Sequence, residues 1–268
     1  MMNLKLSGLF LILVSSVITS CDKKQSDSAP YNVIKTGNPP IAWIARTDME
    51  GKNLWMTGKA VLDPTDSTKF VVTSDGNELV NTDQGGVDIL TKEKYGDVHV
   101  ELEVMIPMNG NSGVYLMGEY EVQIWDSYSK PVILENQWFG TITATKEPDV
   151  HVEKGGGEWQ TLAIDFKAPR FGANGVKTAN ALFEKVVLNG HVIHENVAVG
   201  APTPVCLTGR ESAKGPLMFQ GFVGPVAYRH INIVPVDAEQ VLLMAVIQFS
   251  NRIRILRPSN LGCSPIRW

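Results

Sequence analysis

Apolar and polar positions alternate with a period of two along much of this chain. From Asp97 to Ile106, Val98, Val100, Leu102, Val104 and Ile106 alternate with Asp97, His99, Glu101 and Glu103. Neighbouring side chains of a strand point to opposite faces, so this run predicts a strand with His99, Glu101 and Glu103 on a solvated outer face. Tyr120 to Asp126 alternates as strictly, with Tyr120, Val122 and Ile124 on one face and Glu121, Gln123 and Trp125 on the other. Asn109 to Gly113 ahead of it predicts a turn, Val114 to Met117 a strand, and Gly118 a break. Trp159 to Phe166 alternates through Leu162, Ile164 and Phe166. Shorter strand-like runs are Ile41 to Trp43, Leu54-Trp55 with Ala60 to Leu62, Val87 to Thr91, Phe139 to Thr145, Leu217 to Phe219 and Val226 to Val234. Asn189-Gly190 within Val186 to Ile193 predicts a hairpin, and Asp75-Gly76-Asn77 between Lys69–Thr73 and Glu78–Asn81 predicts another. No long amphipathic helix pattern precedes residue 236. The expectation is an all-β sandwich or barrel.

Composition adds bounds. With 44% hydrophobic and 19% charged residues the chain can bury a core, and 24 glycines and 15 prolines suit short strands joined by tight turns. A net charge of -4 without a long basic run gives no sign of a nucleic-acid partner. Met1 to Ser20 has one early lysine, the apolar run Leu9 to Val14 and small residues before Cys21, the order of a secretory signal. Ile18-Thr19-Ser20-Cys21 resembles a bacterial lipobox, which implies cleavage before Cys21, lipidation of its thiol and a membrane anchor in a bacterial cell envelope, facing periplasm or exterior. Residues 21–38 form a polar tether, 39–236 the folded domain, and 237–268 an atypical tail with Arg252, Arg254, Arg257 and Arg267. Cys206 and Cys263 are the other two cysteines, and no disulfide is assigned to them. Oligomeric state is not legible.

Several segments in order resemble one bacterial family. They are Leu90-Thr91-Lys92 with Tyr95-Gly96-Asp97, Asn111-Ser112-Gly113-Val114-Tyr115, Tyr120 to Ser127, Gly157-Glu158-Trp159-Gln160, Val187-Leu188-Asn189-Gly190, Gly215 to Gly221, and Val226 to Ile231. Together they resemble the family known as domain of unknown function 1080, or 3-keto-disaccharide hydrolase, over roughly residues 40 to 236. The resemblance implies a concanavalin-like jelly-roll β-sandwich, action on carbohydrates, and export as a lipoprotein. Two departures stand out. Phe222-Val223 occupies a place where relatives often carry an Asp-His or similar pair, and Arg229-His230-Ile231 replaces Arg-Asn-Ile.

Ordinary glycoside hydrolysis needs two carboxyl groups about 5 to 10 Å apart. Glu121 is the first candidate, but Gln123 and Trp125 share its face, Asp126 points the other way, and any partner such as Glu158 must come from elsewhere. A 3-keto sugar lowers this requirement. Its ketone acidifies the C2 proton, so one base can remove it, the C1 aglycone leaves, and water adds back. Glu121 as base, Asn111 and Gln123 as polar contacts, Trp125 as stacking platform and Arg229 as stabiliser of the enolate oxygen would suffice. His230 and His151 are rival bases. Tyr115, Asp126, Glu158 and Gln220 complete the expected substrate-binding set. The sequence requires no cofactor and shows no metal-ligand spacing, though a divalent cation stays open. A non-catalytic carbohydrate-binding lipoprotein on the same fold is the alternative.

Overall fold

The computed structural model describes residues 34–36, 40–130 and 137–236. The signal segment, Cys21, most of the tether, the basic tail and Cys263 lie outside the described residues. In chain order the strands are β1 Ile34–Thr36, β2 Ile41–Ala45, β3 Trp55–Leu62, β4 Phe70–Asn81, β5 Ile89–Thr91, β6 Val98–Met105, β7 Asn111–Leu116 and β8 Tyr120–Trp125. They continue as β9 Gln160–Lys167, β10 Arg170–Phe171, β11 Lys177–Ala179, β12 Ala181–Leu188, β13 His191–Val199, β14 Met218–Phe219 and β15 Val226–Pro235. The described residues contain no helix.

Two antiparallel sheets face each other. One has six strands in the order β1-β2-β5-β14-β7-β8, and the other seven in the order β13-β12-β9-β6-β15-β4-β3. β10 and β11 form a separate ribbon. This is the all-β, concanavalin-like jelly roll that the alternation and the resemblance implied. The alternating apolar positions meet in the middle: Val98, Val100, Leu102 and Val104 from β6, Tyr120, Val122 and Ile124 from β8, and Leu162, Ile164 and Phe166 from β9 are all buried in one cluster. An aromatic column crosses this core. Trp43 lies 4.8 Å from Phe219, and Phe219 stacks on Tyr228 at 3.9 Å with only 12° between the rings. The Tyr228 hydroxyl bonds Ser112 Oγ at 2.9 Å, which in turn donates to the Gln220 carbonyl at 2.7 Å. The seven-stranded sheet thereby holds β7 and β14 in place from beneath.

Local turn chemistry is half as predicted. Asn189 and Gly190 take φ of 50° and 82° and close the β12–β13 hairpin. Asp75-Gly76-Asn77 does not reverse the chain. Lys59 pairs with Thr73 and Gly58 with Glu78, so residues 74–77 bulge out of a continuous β4. A Cβ on Gly76 would lie 2.4 Å from the Lys59 nitrogen, which is why glycine sits there. Asn111 to Gly113 is strand rather than turn, and Phe139 to Thr145 is a looping segment with only isolated bridges, Val122 to Ile142 and Ile142 to Lys146.

Candidate active site on the outer face of the six-stranded sheet

Residues paired across a ladder point to the same side, so the registers define which side chains line the outer face of the six-stranded sheet. One row runs Ile44, Leu90, Met218, Tyr115, Glu121. The next holds Gly113 and Gln123 as a pair, with Gln220 one residue beyond Phe219 and Asp88 one residue before Ile89. A third pairs Asn111 with Trp125. The alternation of β8 therefore does present Glu121, Gln123 and Trp125 together, as expected. This outer face is covered rather than open. Thr143 N–H donates to the Glu121 carbonyl at 3.2 Å, Glu121 N–H donates to Thr203 Oγ1 at 3.0 Å, and Leu207 N–H donates to the Gly118 carbonyl at 2.8 Å. Segments 137–146 and 200–216 thus run along the free edge of β8, and the Thr143 side chain reaches back to the Glu121 carboxyl.

Glu121 is 4% exposed. Burial pushes its carboxyl up to about 7, while hydrogen bonds from Thr143 and Tyr115 pull in the opposite direction and the Asp88 carboxylate adds to the rise. Tyr115 stays a phenol, because burial and the neighbouring Glu121 raise it far above its ordinary value. The carboxyl leans over β7, where only glycine leaves room. A Cβ on Gly113 would stand 2.2 Å from Glu121 Oε1 and 2.8 Å from the Tyr115 ring. Gly113 has no positive φ, so close approach explains it. Gln123 Nε2 donates to Asn111 Oδ1 at 2.7 Å, fixing both amides beside the carboxyl.

A second buried acid, Asp88, which no motif or alternation singles out, lies on the same face. Its carboxylate is raised chiefly by burial, against the Gly221 N–H at 3.1 Å and the Arg46 guanidinium at 3.2 Å, which lower it. Arg46 also pairs with Asp48 at 2.8 Å and donates to the Leu207 carbonyl at 3.3 Å. Asp88 and Gly113 are separated by two strand spacings, about 10 Å. The Glu121 carboxyl above Gly113 thus sits across a short floor from Asp88, with Gln220 between.

The expected site residues do not all meet here. Asn111, Tyr115, Gln123, Trp125 and Gln220 do. Arg229 and His230 do not: β15 belongs to the other sheet, and both side chains lie on that sheet's outer face, with the core between them and Glu121. Arg229 pairs with Glu103 at 2.6 Å and stacks over Trp159 at 4.0 Å, and His230 reaches Glu103 at 3.0 Å. Arg229 is one residue out of phase with the buried Tyr228 and so faces outward, and the bulge that follows, with His230 at φ 51°, turns His230 to the same face, but outward from the wrong sheet. Asp126 is a turn residue, accepting from the Asn109 and Ser129 N–H groups at 2.7 and 3.3 Å. Glu158 is exposed in the loop behind Gly155. His151 stacks on Trp138 at 3.7 Å. Among the described residues no group of three or more His, Cys, Asp or Glu is arranged to hold a metal ion.

A candidate glycosyl hydrolase from Parabacteroides distasonis ATCC 8503 shares this fold, at 23% identity and a TM-score of 0.53, over 84% of this chain and 100% of that one. Two further candidate glycosyl hydrolases of the same organism match at 18% and 19% identity, with TM-scores of 0.44 and 0.47, over 68% and 70% of this chain and 100% and 91% of theirs. No curated protein is similar enough to count as a match. What this chain shares with the first of these structures is the fold, a jelly-roll sandwich. More narrowly, the chain belongs to the family described as the 3-keto-alpha-glucoside-1,2-lyase-like domain, whose model matches residues 42–234.

Proposed function

We propose that this protein cleaves 3-keto-glycosides by elimination followed by hydration. The Glu121 carboxylate removes the proton at C2, and the electrons of that C–H bond pass into the enolate of the C3 ketone. Collapse of the enolate forms the C1–C2 double bond and expels the aglycone oxygen, which takes a proton. Water then adds across the double bond, its oxygen to C1 and a proton to C2, so the sum is hydrolysis. The supporting observation is the buried Glu121 carboxyl, held at about 7. A base of that strength is half ionised at neutral pH and strong enough to take an acidified C–H proton. Asn111, Gln123 and Gln220 supply polar contacts, Trp125 a stacking surface, and Arg46, which pairs with Asp88 on the same face, takes the place of Arg229 as a cation for the developing enolate charge.

Asp88 favours a second reading, hydrolysis of unoxidised glycosides by the acid pair Asp88 and Glu121, two buried carboxyls on one face of the sheet. One experiment separates the two. The protein is given a 3-keto-glucoside and, separately, its unoxidised parent, and aglycone release is followed by NMR. Release from the keto sugar alone is expected. Release from the parent at a comparable rate would favour the acid pair, and binding without release from either would make this a carbohydrate-binding lipoprotein. The same proposal takes the protein to be lipid-anchored through Cys21 in the bacterial envelope, so Cys21→Ser should move it from the membrane to the soluble fraction. Retention in the membrane would reject the anchor.

A further inference from the structure

The outer face that carries Glu121 continues into an open groove of about 660 Å³. Ile44, Leu90, Met117, Leu207 and Pro216 give it an apolar lining. Ile44 and Leu90 stand in the same cross-strand row as Tyr115 and Glu121, so groove and carboxyl lie on one line across the sheet. From β5 to β8 that line spans three strand spacings, about 14 Å. Arg46 lines the groove and also holds Asp88, which joins the two regions.

The rim is charged, and the charges do not cancel. The acids along it are already satisfied by the protein. Asp48 pairs with Arg46 at 2.8 Å, and Glu211 accepts from the Tyr120 hydroxyl and from Lys177, each at 2.7 Å. Glu119 accepts from the backbone N–H groups of Thr208 and Gly209 at 3.1 and 2.9 Å. Lys92, Lys94, Arg210 and Lys214 also line the groove, are exposed, and have no acidic partner among the described residues. Four unpaired cations around an apolar floor raise the local concentration of an anion and can bond to it directly.

We propose that this groove is a subsite for a negatively charged part of the substrate, a carboxylate-bearing sugar joined to the ring that Glu121 attacks. The sugar's ring face would lie on Ile44 and Leu90, and its carboxylate would meet the lysines. The orientation toward Glu121 rests on the function proposed above, whereas the charge preference does not.

Binding to the full chain is measured by calorimetry with two unreactive probes, a glucose disaccharide and the same disaccharide ending in glucuronate. At low salt the charged probe should bind about tenfold more tightly, as expected for two or more exposed ionic contacts, and the gain should shrink as salt is added. Lys92→Ala/Lys214→Ala should erase that gain and leave the neutral probe unchanged. Equal affinities, binding of neither probe, or a preference that survives in the double variant would overturn the subsite. The 3-keto forms of the same disaccharides are then tested for turnover. Loss of turnover on both would reject the elimination reading while the calorimetric preference stands, so the two failures are distinguishable.

Discussion

Glu121 and Glu103 occupy equivalent positions in two strands, each on the face away from the core, and their chemistry is opposite. Glu103 lies on the seven-stranded sheet among cations, and although partial burial raises its carboxyl, His230 and Arg229 outweigh this and hold it below its ordinary value. It belongs to a solvated ionic face, along with the His99–Asp165 pair at 2.6 Å. Glu121 is buried beside segments 137–146 and 200–216, its carboxyl bonded by Thr143 and Tyr115 with the Asp88 carboxylate on the same face, and it is pushed up to about 7. Alternation assigns both to an outer face. What covers that face decides whether the carboxylate is a solvated ion-pair partner or a base.

The largest test of this contrast is substitution of each acid. Glu121→Gln should lower kcat by about a thousandfold, the usual size for a lost general base, while Glu103→Gln leaves turnover within about twofold. Gly113→Ala comes next. Its Cβ cannot share space with Glu121 Oε1, so the carboxyl must move, and a misplacement on the order of 1 Å should cost about a hundredfold in kcat. Circular dichroism would show whether the fold survives.

The pH dependence is smaller but signed. Glu121 acts ionised, so kcat/KM should rise with pH and level off above about 7. Stability should run the other way. The folded carboxyl is raised above its ordinary value of 4.5, so its contribution is fully present below 4.5 and is lost as pH climbs through about 7. Glu121→Gln should therefore be more stable than wild type at pH 8, by up to about 3 kcal/mol, and equal to it at pH 4, measured by thermal melts. The smallest effect belongs to the opposite face. Arg229→Ala removes a half-exposed ion pair and a stacking contact, costing about 1 kcal/mol of stability with kcat unchanged. A collapse of turnover in that variant would break the contrast between the faces.

Much of the fold was legible because period-two runs reveal which residues are buried. Val98 to Ile106 and Tyr120 to Asp126 pointed inward and outward as their alternation required. Glu121 and its neighbours on β8 were legible for the same reason. Strand order was not. β5, β14 and β7 lie side by side although Ile89 and Phe219 are far apart in sequence, so nothing local placed Asp88 beside Gln220 or Gly113. Asp88 also falls one residue outside its strand and Arg46 just beyond β2, where the alternating signal ends. The alternation that makes Arg229 polar and outward-facing says nothing about which sheet carries it. Gly113 looked like turn chemistry, since glycine for close approach and glycine for a turn read alike.

The central claim is that Glu121 removes the C2 proton of a 3-keto sugar. It is tested most directly by comparing a 3-keto-glucoside carrying hydrogen at C2 with the same compound carrying deuterium there, in wild type and in Glu121→Gln. Slower kcat/KM with deuterium in the wild-type protein, and no turnover of either compound by the variant, is the predicted result. Equal rates for the two isotopes together with turnover that survives in Glu121→Gln would contradict it.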